Sequence, residues 1–449
     1  MGEPTSSNQL IENHGIIGNM RSAAMISIDG TIDFFCFPHF DSPTIFAALL
    51  DSEKGGLFRI EAQMEGLRYK QIYLSDTNIL LTRYLSEDGV AELTDFMPVE
   101  NADVDSTCAH QIIRTLRVVK GSVRFTVRCA PRFDYARGTH RACKEEKSIC
   151  FHPETEGLDS MALYATVPLE VDGLDAVADF VLNKGETASF AFGSVKTEEK
   201  GPAESLDQES VKHHFELTAQ YWREWISNST YKGRWREIVN RSALVLKLLS
   251  SQEHGSTIAA VTFGLPEKTG GTRNWDYRYT WLRDSSFTLY AMVRLGLSSE
   301  VQAYTQWIRA RFQDGLNADI ETDGPLRVMY RANGGSDLEE IELDHLSGYK
   351  QSRPVRIGND AVGQLQLDIY GEMMDSVYLS NKYSAGISKD GWRRIIRVME
   401  WLGRNGNAPM RAFGRCAEAA STCCTPGLCA GSLSTASSAL PTSDPSMRR

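Results

Sequence analysis

The densest group of residues able to do chemistry lies at Gly270–Ser286, which reads GGTRNWDYRYTWLRDSS. It contains two Trp, two Tyr, three Arg and two Asp within 17 residues. Flat aromatic rings pack on the apolar face of a sugar ring, while Arg and Asp form charge-assisted hydrogen bonds with its hydroxyl groups. An Asp at the start of a helix can also act as a cap, so an isolated W-x-R-D string would favour a capping role for Asp284. The size of the whole cluster favours a sugar-binding site instead.

A second polar group occupies the loop Leu343–Ala361, LDHLSGYKQSRPVRIGNDA. In this loop Arg353 and Arg356 flank Pro354. Its other polar candidates are Asp344, His345, Asn359 and Asp360. Taken alone, such a segment is typical of a polar connection that ends in a helix cap. A lone histidine in it is more typical of a structural hydrogen bond than of an acid or base.

Other chemistries are disfavoured by the sequence. The segment EKTGGT at 267–272 lacks the pattern of a phosphate loop, and neither G-x-S-x-G nor H-E-x-x-H occurs. The formal net charge of -10 argues against nucleic acid, which requires basic surfaces. The five cysteines before residue 151 are scattered and suggest neither a disulfide framework nor a metal site. We therefore expect no cofactor, no metal and no nucleic-acid partner.

Length and composition indicate a folded protein of two or three domains, since 42% of the 449 residues are apolar. Residues 1–15 lack the basic start and apolar run of a secretory signal. No stretch approaches the ~20 apolar residues of a membrane span. We expect a cytoplasmic protein with no membrane partner, and the sequence leaves the oligomeric state open, a homo-oligomer included.

The first half of the chain has the pattern of β-structure. Short apolar or alternating segments are separated by turn signals such as Asp29-Gly30, Asp88-Gly89 and Asp172-Gly173. Many short strands with regular turns are typical of an all-β sandwich. The pattern therefore predicts a β-sandwich over residues 1–205.

Beyond this region the apolar residues recur at three- and four-residue intervals, which predicts amphipathic helices. A linker helix is expected over residues 206–232. The predicted helices cover 213–226, 234–250, 284–296, 299–313, 360–380 and 390–404. Connections as long as 251–280 and 314–358 are uncommon in compact domains unless they build a site. The fold class expected is thus multidomain β + α, with function on the loop side of the helices.

Taken together, these segments resemble the bacterial branch of glycoside hydrolase family 15, the glucoamylase and trehalase-like hydrolases. The most specific match is GGTRNWDYRYTWLRDSSFTLYAMVRLG at 270–296, and SRPVRIGNDAVGQLQLDIYGEMMDSVY at 352–378 matches a later loop and helix. The segments that resemble the β-sandwich domain of the family are IENHGIIGN (11–19), DGTIDFFCFPHFDSPTIFAALLD (29–51), DTNILLTRY (76–84), LTDFMPV (93–99) and APRFDY (130–135). The resemblance extends from residue 10 to about residue 409.

The resemblance implies a β-sandwich followed by an (α/α)6 barrel, a ring of twelve helices, and hydrolysis of terminal α-glucosidic bonds with inversion. It implies that Arg283 and Asp284 hold the hydroxyls of the terminal glucose and that Trp281 and Tyr277 line the same subsite. It also makes Arg353 a sugar-contacting loop residue. We expect loops 270–284 and 344–359 to face one another across a pocket, with Arg283 and Arg353 on the same side.

Neither catalytic carboxylate of the family can be assigned in this sequence. The resemblance places the general acid in a G-I-W-E-like segment after the helix that ends near Trp401, where this chain reads PMRAFGR. One base added after a chosen codon for Pro409 changes this reading to PDEGIWE. We therefore expect a frameshift near residue 409, an incomplete (α/α)6 domain over 233–409 and a non-native, disordered tail over 410–449. The family's general base is expected in helices that this chain lacks.

Three functions remain open. The first is a hydrolase of terminal α-glucosidic bonds, whose recorded chain is truncated, inactive and poorly folded because the apolar faces of 238–249 and 361–377 lack partners. The second is a non-catalytic protein that binds a glucan or trehalose. The third, a phosphorylase on a similar barrel, is disfavoured because the W-L-R-D string belongs to the hydrolases. In each case the expected partner is a small carbohydrate, and the sequence does not decide between trehalose, malto-oligosaccharides and related glucans.

Overall fold

The computed structural model describes residues 9–99, 110–195, 207–317, 325–383 and 387–405. In the first part of this range two antiparallel eight-stranded sheets form. The strands of one sheet are β1 (His14–Gly18), β2 (Ala23–Ser27), β3 (Ile32–Cys36), β4 (Thr44–Phe46), β5 (Leu57–Gln63), β10 (Ser122–Ala130), β14 (Glu170–Asp172) and β15 (Asp175–Asn183). Those of the other are β6 (Arg68–Tyr73), β7 (Leu80–Leu85), β8 (Val90–Phe96), β9 (Gln111–Lys120), β11 (His140–Lys144), β12 (Ser148–Pro153), β13 (Met161–Ala165) and β16 (Thr187–Ser194).

The period-2 pattern of the sequence explains how the sheets pack. Along β10, Val123, Phe125 and Val127 are buried, while their neighbours in the strand are more exposed. Alternate side chains of a strand point to opposite faces, so each sheet buries one apolar face. Residues of both sheets share one apolar core, in which Phe58 contacts the rings of Phe190 and Phe192. The predicted β-structure is confirmed, and its two sheets are antiparallel.

The three Asp-Gly turns lie where the sequence predicts them, between β2 and β3, β7 and β8, and β14 and β15. Gly30 has φ +83° and Gly173 has φ +63°, in the left-handed region that glycine enters without steric cost. A Cβ on Gly30 would also lie 2.6 Å from the Tyr84 hydroxyl oxygen. These turns therefore fix the register of the strands that they join.

Helices follow the sheets, after the one-turn segment α1 (Phe133–Ala136) inside the β-region. The longer helices of the described residues are α2 (Gln208–Ser227), α3 (Arg236–Leu248), α4 (Leu282–Arg294), α5 (Ser299–Asn317), α6 (Asp368–Tyr383) and α7 (Lys389–Asn405). Short 3-10 segments lie at Ile11–Asn13, Tyr349–Gln351 and Asp360–Gly363, and the short strands are β17 (Thr280–Trp281), β18 (Met329–Tyr330), β19 (Ile341–Glu342) and β20 (Arg356–Ile357). An N-terminal β-region followed by helices is thus confirmed.

One predicted helix begins later than expected. The sequence predicts a helix over 360–380, but Gln364 has φ -87° and ψ 141°, which is extended backbone. Residues 360–363 form only a 3-10 turn capped by the Asn359 side chain, and α6 begins at Asp368. Apolar periodicity ran through this break, because periodicity records burial and not backbone conformation.

The helices are packed on the β-region through a shared apolar cluster. Leu244 and Leu248 of α3 are buried together with Met20, Ala23 and Trp222. The expectation that the apolar faces of 238–249 and 361–377 lack partners is therefore wrong for most of their residues. Ala243, Tyr370, Met373 and Met374 are also buried. The large apolar side chains that remain exposed on α3 and α4 and just before α3 are Trp235, Ile238, Phe287 and Tyr290.

The remaining boundaries stay predictions. β16 ends at Ser194 and α2 spans Gln208–Ser227, with the Asp207 side chain accepting a hydrogen bond from the Ser210 amide at its N-terminus. The expected tail over 410–449 and the segment that replaces the family's acid motif lie outside the described residues. No helix within the described ranges is long and apolar enough to cross a membrane.

Candidate functional site

The loop before α4 runs in an extended form with alternating burial. Asn274, Asp276 and Arg278 are buried, while Tyr277 is exposed and Trp275 is half-buried. Successive side chains of an extended segment point to opposite sides. Over residues 274–278 one side of this loop therefore faces the protein interior, and the other carries Trp275 and Tyr277 towards the surface.

The buried side of the loop forms an ion pair that joins three parts of the protein. Arg278 and Asp276 are fully buried, with 2.7 Å between Nη2 and Oδ2. Arg278 also donates to the Ser42 carbonyl oxygen and to the Tyr135 hydroxyl, both in the β-region. Asp276 Oδ2 accepts from the Gly358 amide at 3.2 Å. This pair therefore connects the β-region to both predicted site loops.

The two loops are joined by further hydrogen bonds. The Gly270 amide donates to Ser352 Oγ at 2.8 Å, and Asn274 Nδ2 donates to the Pro354 carbonyl oxygen at 3.1 Å. Asn359 Nδ2 donates to the Asp276 carbonyl oxygen at 3.0 Å. The loops are thus in direct contact. The pocket expected between them stays a prediction. A cavity of about 280 Å3 lies at a different place, between α5, α6 and the start of α7.

Two aromatic rings of the loop, one exposed and one buried, lie next to an arginine. The ring centroids of Tyr277 and Trp281 are 6.0 Å apart, with 38° between their planes. The Arg283 guanidinium lies 5.3 Å from the Trp281 ring centroid. Tyr277 is 36% exposed, so its ring is accessible to a ligand, whereas Trp281 is 7% exposed. The indole nitrogen of Trp281 is buried and has no hydrogen-bond partner in the structure.

Charged groups surround Arg283 at the N-termini of α4 and α6. Its Nη2 lies 3.5 Å from Asp284 Oδ2, and its Nη1 lies 3.5 Å from Asp368 Oδ2. Burial raises the pKa of the Asp284 carboxyl, and the adjacent guanidinium offsets this only in part. Burial also raises the pKa of Glu372, one turn further along α6, and the charges of Asp375 and Asp368 add to this effect. The guanidinium therefore lies among several carboxyl groups.

The structure thus brings four of the five predicted site residues together, namely Tyr277, Trp281, Arg283 and Asp284. The fifth, Arg353, is exposed and donates to the Ser347 carbonyl oxygen at 3.3 Å. No contact recorded for the described residues joins Arg353 to the other four, so its sugar-binding role stays a prediction.

Of the two arginines in the second loop, Arg356 is the one that contacts the first loop. It donates to the Thr272 carbonyl oxygen at 2.8 Å and lies 4.9 Å from the Trp275 ring centroid. His345 Nε2 lies 2.7 Å from the Tyr135 carbonyl oxygen, which fits the structural role weighed for it. Within the described ranges no cluster of His, Cys, Asp and Glu could hold a metal ion.

Sequence reasoning missed Asp368 and Glu372. A signal was present, because the two acids are four residues apart, and residues four apart lie on the same face of a helix. The late start of α6 at Asp368 concealed it, since the predicted helix began at 360 and Asp368 seemed to lie in its interior. The start of a helix is where carboxylates are most favourable.

Comparison with known proteins agrees with the sequence resemblance. The family model described as Glycosyl hydrolases family 15 matches residues 233–414, and the model described as Trehalase-like, N-terminal matches residues 4–214. A trehalase of Thermoplasma volcanium is 31% identical over 402 residues, which cover 87% of this chain and 60% of that protein. A trehalase of Mycolicibacterium smegmatis is 33% identical over 428 residues, covering 90% and 62%.

A trehalase of Mycobacterium tuberculosis is 31% identical over 422 residues, which cover 90% of this chain and 61% of that protein. The chain therefore spans 60–62% of the length of these three curated relatives. The two family models together account for most of the chain, from residue 4 to residue 414. On this evidence residues 233–414 match glycosyl hydrolase family 15, and residues 4–214 match the trehalase-like N-terminal family.

Proposed function

We propose that this chain forms the sugar-binding part of a glycosidase that cleaves terminal α-glucosidic bonds with inversion. The observation that carries the proposal is the group at the start of α4, where Tyr277 and Trp281 lie beside Arg283 and Asp284. The exposed ring of Tyr277, with Trp281 packed beside it, offers a surface for the apolar face of a glucose ring, while the cation and the carboxylate bind its hydroxyls. Trehalose, malto-oligosaccharides and related glucans are the proposed substrates, and the relatives named trehalase make trehalose the first to test.

In an inverting reaction one carboxylic acid protonates the leaving oxygen while a carboxylate on the other face takes a proton from the attacking water. Roughly 6.5–9.5 Å separates the two groups, which leaves room for that water. Asp284 would hold a glucose hydroxyl and would not exchange a proton with the reacting atoms. We propose that the acid and the base are both absent from this chain.

The candidates for a replacement acid are Asp276, Glu321, Glu342 and Asp344. Two of these carboxylates support this view because they are engaged elsewhere. Asp276 is fully buried in its ion pair with Arg278, and Glu342 pairs with Arg356 at 2.9 Å. Glu321, a further candidate, lies outside the described residues. The pairing of Asp276 and Glu342 with arginines also favours the second candidate function, a non-catalytic protein that binds trehalose or a glucan.

The helices support a partial (α/α)6 barrel as the scaffold. α4 and α6 lie side by side, since Ser376 Oγ donates to Ser286 Oγ at 2.8 Å and Arg283 reaches Asp368. Both helices begin next to the group of Tyr277, Trp281, Arg283 and Asp284, so their N-termini point to one end of the domain. We propose that they are neighbouring inner helices of such a ring.

The proposal is tested with the purified chain by calorimetric titration with trehalose and maltotriose, with the β-linked disaccharide cellobiose as control. We expect the two α-linked sugars to bind more tightly than cellobiose, and no glucose to be released during incubation. The proposed sugar site would be contradicted if neither trehalose nor maltotriose bound. Release of glucose would contradict the proposed absence of the acid and base.

A further inference from the structure

The environment of Asp368 differs from that of the residues that can meet a ligand. Its side chain is 5% exposed, whereas those of Arg283 and Asp284 are 24% and 46% exposed. Its Oδ1 atom is buried and has no hydrogen-bond partner in the structure. A sugar that contacts Arg283 and Asp284 would therefore not reach Asp368.

The contact that Asp368 makes is with the guanidinium. Arg283 Nη1 donates to Asp368 Oδ2 at 3.5 Å, while Nη2 lies 3.5 Å from Asp284 Oδ2. The guanidinium is thus held between one buried and one exposed carboxylate, on neighbouring helices. A planar group held at two of its nitrogens has little freedom to rotate, so its remaining N–H groups keep a fixed direction.

A carboxylate in the first turn of a helix also stabilises that helix through its dipole. This general role does not account for the pairing, because it requires no cation at the carboxylate. Burying a carboxylate is costly unless it is paired, and Arg283 supplies the pairing from another helix. The hydroxyl contact between Ser286 and Ser376 fixes the spacing of the same two helices about one to two turns further on.

We propose that Asp368 is a positioning residue, which orients the Arg283 guanidinium towards the sugar from the neighbouring helix. This inference rests on the proposed sugar-binding function and deepens it. Asp368 makes no contact with the ligand in this account and takes no part in proton transfer. Its effect on binding is transmitted by Arg283 alone.

The test combines Asp368→Asn with Arg283→Gln in a double-mutant cycle, and trehalose affinity is measured by calorimetry. We expect Asp368→Asn to weaken binding about five- to tenfold, and to have no further effect in the Arg283→Gln background, since residues that act through one contact are not additive. Asp375→Asn, an exposed carboxylate on the same helix, is the matched control and should leave the affinity unchanged. Equal effects of Asp368→Asn in both backgrounds would overturn the proposal.

A second readout needs no sugar and separates this proposal from the proposed function. The groups that interact with the Asp284 carboxyl are Arg283 on its own helix and Tyr277 on the loop, and Asp368 and Glu372 on α6 interact with Arg283. In Asp368→Asn the guanidinium is free to pair with Asp284 alone, so we expect the pKa of Asp284 to fall when the carboxyl carbon is titrated by NMR.

The same substitution in the Arg283→Gln background should leave the Asp284 titration nearly unchanged. An equal shift in both backgrounds would show a direct effect of the Asp368 charge, and no shift in either would show that Asp368 does not hold Arg283. Both results overturn the positioning role. A shift that depends on Arg283, in a protein that binds no trehalose, would support the positioning and reject the proposed function.

Discussion

At the scale of single residues, two roles are open for Asp284, namely stabilisation of α4 and binding of a sugar. It lies in the first turn of α4, where any carboxylate favours a helix, and it is 46% exposed beside Arg283. A helix-stabilising residue affects folding only, whereas a sugar-binding residue affects affinity. The two roles therefore differ in what a substitution changes.

We expect Asp284→Ala to weaken trehalose binding at least tenfold, because a charge-assisted hydrogen bond contributes about 1.5–3 kcal/mol. Asp390→Ala is the matched control, since Asp390 is an exposed carboxylate in the first turn of α7. Calorimetric titration and thermal unfolding of both variants provide the comparison. If the two variants lose similar stability and neither loses affinity, Asp284 is only a helix-stabilising residue.

At the scale of elements, a buried pair joins the strands β1 and β3. His14 Nε2 lies 2.9 Å from Asp33 Oδ2, and its Nδ1 faces the carbonyl oxygens of Leu10 and Ile11. Burial lowers the pKa of His14, but these partners outweigh it and the pKa is raised from 6.5. Burial raises the pKa of Asp33 more than His14 lowers it. Both shifts mean that the folded protein holds protons more tightly than the unfolded chain does.

Stability should therefore fall as pH rises, since the contribution of His14 is complete below its unfolded pKa and is lost above its folded pKa. We expect the contribution of His14 to the free energy of unfolding to decrease as the pH rises above about 6.5, and His14→Gln to remove this part of the slope. Urea unfolding at several pH values measures it. His213→Gln, at an exposed position of α2, should keep the slope of the parent protein. An unchanged slope in His14→Gln would contradict this assignment.

At the scale of the whole molecule, the Asp276–Arg278 pair fixes the β-region to the site loops. Removing one partner of a buried pair leaves an uncompensated charge and costs about 3–5 kcal/mol. We expect Arg278→Met to lose a free energy of this size in chemical unfolding, and to weaken sugar binding as well because both loops lose an anchor. Arg124→Met removes an exposed pair with Asp179 and should have a much smaller effect. Similar losses in the two variants would show that burial of the Arg278 pair is unimportant.

The reading frame near Pro409 gives a second prediction at this scale. The frameshift hypothesis predicts that one base inserted there recovers the G-I-W-E-like acid motif and, with an intact downstream frame, further sequence of the family. We expect glucose release from trehalose only after the insertion, and less self-association because Trp235, Ile238 and Phe287 would gain partners. Glucose assays and light scattering measure both effects, with a synonymously recoded 449-residue chain as control. Activity in that control would refute the frameshift.

The sequence by itself determined the order of the elements and the grouping of four of the candidate site residues. Alternation and turn signals predicted the strands, since strands bury one face and glycine is needed where φ is positive, as at Gly30. Local spacing also placed Tyr277, Trp281, Arg283 and Asp284 together, because a short extended segment that enters a helix keeps them close. The family resemblance rests on the same segments.

Only the tertiary structure decided which distant residues join this group. Sequence reasoning chose Arg353 in the second loop, but of its two arginines it is Arg356 that contacts the first loop. Asp368 was missed because its partner, Arg283, is 85 residues away in the sequence. From the sequence, Asp276 and Arg278 likewise belonged to the predicted sugar-binding cluster, whereas in the structure they form a buried ion pair. Sequence patterns record local geometry and burial, whereas the pairing of charges depends on which helices and loops pack side by side.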